Sequence, residues 1–217
     1  MPATPNMMVM RAAAKEVICE LIAAAGGALR GKVRLNKAFY FAHLYYWRDA
    51  NGVLTEYPIV RLPLGPCIDD ANDLLKELVH EERLSISSVP IGPFEENVYR
   101  LLDTTLSFDS STPRGRAISE AIEFVEGKTA AELSEITHEH SPSWRSTPNG
   151  QEMSIYLDLV DEDELRTIRE QLEKVRTRGR RSRASHARMV RLFTRRRAGY
   201  FGCPRVGCCR RLPPSGR

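Results

Sequence analysis

Apolar residues along the chain recur mostly at helical spacing. Between Met10 and Ala25 they fall at Val17, Leu21, Ala24 and Ala25 within an Ala-rich run, and Gly26–Gly27 stops the helix this predicts. A second helix is expected from about Arg34 to Asp49, with Leu35, Ala38, Ala42 and Tyr45 on one face and Phe39, His43 and Tyr46 beside it. Six of the sixteen aromatic residues lie in this one segment (Phe39, Tyr40, Phe41, Tyr45, Tyr46, Trp47). A helix apolar on nearly every side belongs at the centre of the fold, so this is the expected core element. Tyr57–Leu62 is short and β-prone, and Pro63, Gly65 and Pro66 end it. Asp69 and Asp70 open an amphipathic helix through Leu74, Leu75, Leu78 and Val79 that runs to about Arg83. Leu84–Leu102 then reads as a two-stranded hairpin with a longer connection around Pro90-Ile-Gly-Pro93.

The second half carries explicit helix starts. Thr112–Pro113 offers a capping hydroxyl and a proline at the first helical position, before Ile118, Ile122, Val125 and a stop at Gly127. Thr129-Ala-Ala-Glu132 is a capping box for a short helix carrying Leu133 and Ile136. Ser141-Pro-Ser-Trp144 and Thr147-Pro-Asn-Gly150 read as turns, and Met153–Leu157 as a strand candidate. Asp161-Glu-Asp-Glu164 is a second capping box, acidic as the helix dipole favours, opening a helix through Leu165, Ile168 and Leu172. The fold class expected is mostly α (α+β): a compact helical domain with a small β-hairpin or short sheet over residues 10–160. A flexible lead is expected at 1–9, a C-terminal helix at 161–175 and a basic tail at 176–217.

Composition alters this picture mainly at the tail. With 42% hydrophobic and 28% charged residues the chain has the make-up of an ordinary globular protein. No apolar run approaches the roughly 18 residues of a membrane span. Lys15, Glu16 and Glu20 interrupt what would be the apolar core of a signal peptide, and five cysteines make no disulfide framework, so the expected compartment is the reducing cytoplasm. The net charge of +4 averages two unlike parts. From Arg176 onward there are fourteen Arg with no Lys, Asp or Glu, while the remainder holds 18 basic and 28 acidic residues, a net −10. Such a body repels nucleic acid and attracts basic partners; only the tail, through Arg178, Arg180, Arg181 and Arg183, suits phosphate. An Arg/Gly/Pro/Ser composition that buries no core fits a disordered basic arm. The reading favoured over it is an out-of-frame translation of GC-rich DNA, which Arg excess without Lys fits and which the nucleotide sequence near codon 176 would reveal.

Candidate chemistry is sparse. Gly26-Gly-Ala-Leu-Arg-Gly31-Lys32-Val33 approaches a phosphate-binding loop, but Val33 stands where Ser or Thr must hold magnesium and a helix precedes it. His138 and His140, with His43, His80 and Cys67, invite a metal reading. A His-x-His pair on a helix points its rings about 200° apart, so a helix-end role is favoured and no metal site is expected. Cys203, Cys208 and Cys209 with His186 fall short of two ligand pairs. No Ser or Cys lies in a nucleophile context, and no carboxylate pair exceeds what solvated helix faces explain. Neither catalysis nor a cofactor is expected.

Three segments together resemble a known family. Arg34-Leu-Asn-Lys37-Ala-Phe-Tyr40-Phe-Ala42 is similar to the K-L-N-K-L-L-Y-F-A helix of the Panacea (SocA-like) antitoxin domain. Leu62-Pro-Leu-Gly65-Pro66 is similar to its Y-G-P turn, with Leu64 in place of the usual aromatic and Cys67 where a small aliphatic is common. Glu132-Leu-Ser-Glu-Ile-Thr-His138-Glu-His-Ser-Pro-Ser-Trp144 resembles its closing L-S-x-x-T-H-x-x-x-x-W element. The resemblance spans about residues 10–160 and marks Lys37, Tyr40, Gly65, Pro66, His138 and Trp144. It implies a mostly helical domain from bacterial and prophage-associated toxin–antitoxin loci. Such a domain neutralises a cognate toxin by direct binding and in some members hands it to a Clp-type protease.

A structural role is favoured for three marked residues: Tyr40 packed in the core with its hydroxyl bonded, Trp144 anchoring the last loop, and His138 linking the two. The competing reading is a DNA-binding regulator, in which a helix and the Leu84–Leu102 hairpin form a winged unit and the tail clamps phosphate. The acidic helix from Asp69 to Glu82 opposes it. A cryptic hydrolase using His138 is the third.

Overall fold

The computed structural model describes residues 5–103 and 105–159. The expected helix at 161–175, its capping box and the basic tail lie outside the described residues. Helix α1 (Pro5–Ala24) starts five residues before Met10, so residues 5–9, expected as a flexible lead, are its first turns. Met7 and Met10 already pack against the core. Gly26 and Gly27 end α1 in left-handed conformations (φ 73° and 88°), where the Gly27 amide returns to the Ile22 carbonyl at 2.9 Å.

Strand β1 (Ala28–Arg30) follows, then α2 (Lys32–Ala50), which buries nine successive residues from Leu35 to His43. The aromatic segment is therefore the central element, as its pattern predicts. Helix α4 (Pro113–Glu126) packs along α2, with the Phe41 and Phe124 rings edge-to-face at 4.6 Å. α2 does begin at Lys32, but the residues before it form β1, which is paired with a neighbouring strand and leaves no phosphate cradle.

Two antiparallel sheets complete the fold. β2 (Ile59–Leu62) pairs with β3 (Gly65–Ile68), so Gly65 and Pro66, expected to end a strand, begin its return partner. β4 (Leu84–Ile91) pairs with β5 (Phe94–Leu101) over eight residues, and β5 also pairs with β1, giving the order β1-β5-β4. The hairpin connection is shorter than expected: only Gly92 and Pro93 separate the strands. Gly92 at φ 59° followed by a proline is the arrangement of a type II′ turn, whose twist matches that of the strands.

Between the sheets, α3 (Ala71–His80) buries Ala71, Leu74, Leu75 and Leu78. Asp70 precedes it in a left-handed conformation and makes no side-chain cap. The predicted caps of α4 and α5 (Ala130–His140) are both present: Thr112 Oγ1 accepts from the Gly115 amide at 2.9 Å, and Thr129 and Glu132 form the reciprocal box. Ser141–Trp144, expected as a turn, is instead the start of a one-turn helix, α6 (Pro142–Ser146), capped by the Ser141 hydroxyl on the Trp144 amide at 3.0 Å. The strand expected at Met153–Leu157 is absent: Glu152 makes one bridge to Val60, and α7 (Tyr156–Leu159) follows. Among the described residues no helix is long and apolar enough to cross a membrane.

Candidate functional site: a clamped turn

The turn between β2 and β3 is exposed at Leu62, Pro63 and Leu64, yet it is held from beneath by side chains of three helices. Lys37 on α2 is almost wholly buried, at 1% exposure, and its Nζ donates to the Leu64 carbonyl at 2.7 Å. The Trp144 indole on α6 donates Nε1–H to the Leu62 carbonyl at 3.0 Å. His138 on α5 lies against the carbonyl between them, that of Pro63, which favours its protonated form. No well-formed bond results, because the buried His138 Nε2 has no partner. A turn whose backbone acceptors are taken from inside has little freedom left.

Gly65 makes this approach possible. At φ 107° it occupies backbone space that side chains disfavour, and a Cβ there would lie 1.9 Å from Lys37 Nζ and 2.6 Å from Thr137 Oγ1. Pro66 is buried behind it, opposite Arg61 in the β2–β3 register. Above the clamp, three side chains stack: the Arg61 guanidinium lies 4.4 Å from the Trp144 ring centroid, and the His138 ring lies 3.9 Å away and 16° from parallel. Arg61 Nε, like His138 Nε2, is buried without a hydrogen bond among the described residues.

The electrostatics follow from burial. Desolvation lowers the Lys37 ammonium to about 8, against the opposing influence of the Cys67 thiol. His138 is pushed below the ordinary histidine range by desolvation first and then by the charges of Lys37 and Arg61, against the Pro63 carbonyl. Beside the clamp, Val33, Lys37, Leu62, Leu64 and Cys67 line an apolar cavity of about 340 Å³.

Tyr40 anchors a different contact. One turn along α2 from Lys37, it is 2% exposed, and its hydroxyl donates to Asp158 Oδ2 at 2.7 Å. The same carboxylate accepts from Ser141 Oγ at 2.9 Å, from the Ser143 amide at 2.8 Å and from the Ser143 hydroxyl. Desolvation and the Asp158 charge both push the Tyr40 phenol above its ordinary range. The expected link from Tyr40 through His138 to Trp144 is therefore replaced by two separate anchors. Lys37, His138, Trp144 and Gly65 converge on one turn, whereas Tyr40 fastens α2 to α6 and α7 through Asp158. Sequence reasoning did not find Asp158, Ser141, Ser143 or Arg61, since nothing local ties Asp158 to a tyrosine 118 positions earlier.

The other histidines among the described residues are accounted for. His43 is buried with Nδ1 2.7 Å from the Phe39 carbonyl and Nε2 3.2 Å from that of Thr55, and burial holds it below its usual range. His80 and His140 are exposed at helix ends. No group of three or more potential metal ligands occurs among the described residues.

No curated protein and no solved structure matches the chain. A family model described as "Antitoxin SocA-like, Panacea domain" matches residues 35–145, just over half the chain. Proteins of this kind are generally non-enzymatic. The matched span opens in α2, before Lys37, and closes at α6, just after Trp144, so it brackets both ends of the clamp. The chain belongs to the SocA-like Panacea antitoxin family.

Proposed function

We propose that this protein is an antitoxin that neutralises a cognate toxin, encoded at the same locus in a bacterial or prophage genome, by binding it directly in the cytoplasm. The observation that carries this reading is the use made of the motif residues. Lys37, Gly65, His138 and Trp144 are occupied in fixing an exposed apolar turn, and Tyr40 in fixing α7, which is framework work that leaves surface free for a partner. Leu64 at 58% exposure and the adjoining apolar cavity offer a preorganised contact, which lowers the ordering cost of association. The net −10 of residues 1–175 steers a basic toxin toward it. The helix–hairpin pair of the DNA-binding alternative exists, but the Arg11 and Lys15 charges beside α3 are taken up by Glu77 and Glu81.

The test is co-expression with the neighbouring small reading frame. Growth arrest by that frame alone, relieved by this chain, is the expected result; no relief with both proteins soluble overturns it. Toxin levels in cells lacking Clp-type proteases show whether relief runs through degradation as well as binding. Deleting residues 176–217 is expected to leave relief intact, whereas a DNA-binding role through Arg178, Arg180, Arg181 and Arg183 would be lost.

A further inference from the structure

Strand β4 is the outer strand of its sheet. Its inner edge is satisfied along eight residue pairs from Leu84↔Leu101 to Ile91↔Phe94, without a bulge. Because a two-residue turn closes on Ile91 and Phe94 as a hydrogen-bonded pair, Val89, Ser87 and Ser85 also turn their amides and carbonyls toward β5. Leu84, Ile86, Ser88 and Pro90 turn theirs to the open edge. Pro90, with no N–H to give, falls on that outward set, where the inner ladder loses nothing.

Edges of this length are ordinarily protected by charge, a bulge or cover. Leu84–Ile91 contains no charged residue, and Pro90 is its one protective feature. The other hairpin is treated differently: residues 150–153 cover the outer edge of β2 through Arg61, Gly150 and Met153, and Asn36 accepts from the Ile68 amide of β3. No described residue pairs with the outer edge of β4, and Ile86, Ile91 and Phe94 beside it are 41%, 49% and 76% exposed.

The surroundings specify the occupant's charge. Glu82 is exposed before the strand, and Glu95, opposite Pro90 on β5, is exposed near its far end; Glu81 pairs with Lys15, Arg83 is neutralised by Glu16 and Asp103, and the exposed Arg100, opposite Ser85, is the opposing charge. A second copy paired on β4 would bring together two bodies that each carry a net −10 over residues 1–175, a like-charge approach. A strand with basic ends meets Glu82 before β4 and Glu95 near its far end. We propose that the outer edge of β4 takes up an extended segment of a partner polypeptide as a fourth strand, aliphatic or hydroxyl-bearing at its centre and Lys- or Arg-bearing at its ends. This rests on the antitoxin reading for the partner being a polypeptide, and strand addition supplies the mode.

The full chain is titrated with a labelled synthetic peptide carrying Thr-Val-Ser-Val-Thr-Val between paired basic residues, and with its Glu-flanked counterpart, by fluorescence anisotropy. Saturable binding that weakens with salt, and is at least about tenfold weaker for the Glu-flanked peptide, is expected. Ser88→Pro removes an outward amide and is expected to weaken binding about tenfold with an unchanged circular dichroism spectrum. Should Ser88→Pro fail to fold, Ile86→Lys, at an exposed position, is expected to lower affinity by charge. No saturable binding, an affinity unchanged by the substitution, or a dimer of the chain that Ser88→Pro abolishes overturns the proposal. Peptide binding without growth rescue sinks the antitoxin reading alone; rescue without any dependence on Ser88 or Ile86 sinks the edge alone.

Discussion

The molecule contains two antiparallel hairpins that are stabilised in opposite ways. β2–β3 has four-residue strands and an exposed turn, and its conformation is imposed by Lys37, His138 and Trp144 reaching it from three helices. β4–β5 has eight-residue strands and a two-residue turn, and its outer half stands on its own ladder, with Ser87, Ser88, Pro90, Ile91 and Phe94 all exposed. A short hairpin cannot hold a fixed shape by backbone pairing alone, so side chains must supply the rest. Those side chains are the ones the family motif marks. The longer arm needs none of them, and no marked residue lies in it. In this chain the marked residues therefore lie where the short hairpin needs side-chain support.

Gly65→Ala should break this contrast most severely. The added methyl must displace Lys37 Nζ from the Leu64 carbonyl and strain a backbone held at φ 107°, at about 3–4 kcal/mol. Thermal unfolding is expected to fall by roughly ten degrees. Gly92→Ala, also at positive φ but with nothing near its Cβ, should cost only about 1 kcal/mol. Equal losses at the two glycines would erase the distinction between the hairpins.

Lys37→Met sharpens it by pH. Folded Lys37 titrates near 8 against 10.5 for the free side chain, so between those values the unfolded chain binds more protons than the folded one. Wild-type stability should therefore rise from about pH 8 to about pH 10.5 relative to Lys37→Met, by on the order of 3 kcal/mol across the window. Measuring the difference between the two proteins removes the opposing contribution of Cys19, whose thiol burial raises to about 11. A flat difference curve would mean that the ammonium is not confined as its 1% exposure indicates.

Trp144→Ala should follow, at about 2 kcal/mol. The ring is half-buried, so the loss is smaller than for a core aromatic and comes from the Leu62 bond and the stack between Arg61 and His138. Urea unfolding of Trp144→Phe, which keeps the stack and loses the bond, separates the two contributions.

How much of this was readable in the chain depended on how local each cause is. The starts of α4 and α5 were legible because Thr112–Pro113 and Thr129–Glu132 satisfy amides within three residues. The burial of α2 was legible from its aromatic density. β1 was not, since Ala28–Arg30 shows no alternation and becomes a strand only because β5 offers an edge. β3 was hidden by its own Gly65–Pro66, which read as breakers although the glycine's positive φ and the Lys37 approach are what permit the return. The motif residues of the clamp were visible, but what they grip was not: main-chain carbonyls carry no side-chain signature, and Asp158 has no local cue linking it to Tyr40.

The smallest expected effect is the most discriminating one for function. Phe94 is 76% exposed at the tip of the β4–β5 arm, so Phe94→Ala removes little buried area and should change unfolding free energy by less than about 0.5 kcal/mol. Aromatic residues are enriched among the anchors of protein interfaces, and such anchors each carry about 2 kcal/mol or more. The pair Ile91 and Phe94 faces each other across the last rung, overlooking a cleft of about 310 Å³ that Val33 and Ala130 also line. Phe94→Ala is therefore expected to leave the melting curve in place while reducing toxin affinity at least tenfold in a direct titration. Leu64→Ala, at the clamped turn, provides the matched comparison from the other hairpin: it too is exposed and should be neutral for stability. If Leu64→Ala lowers affinity and Phe94→Ala does not, the partner docks on the clamped turn alone, and the arm takes no part in the contact.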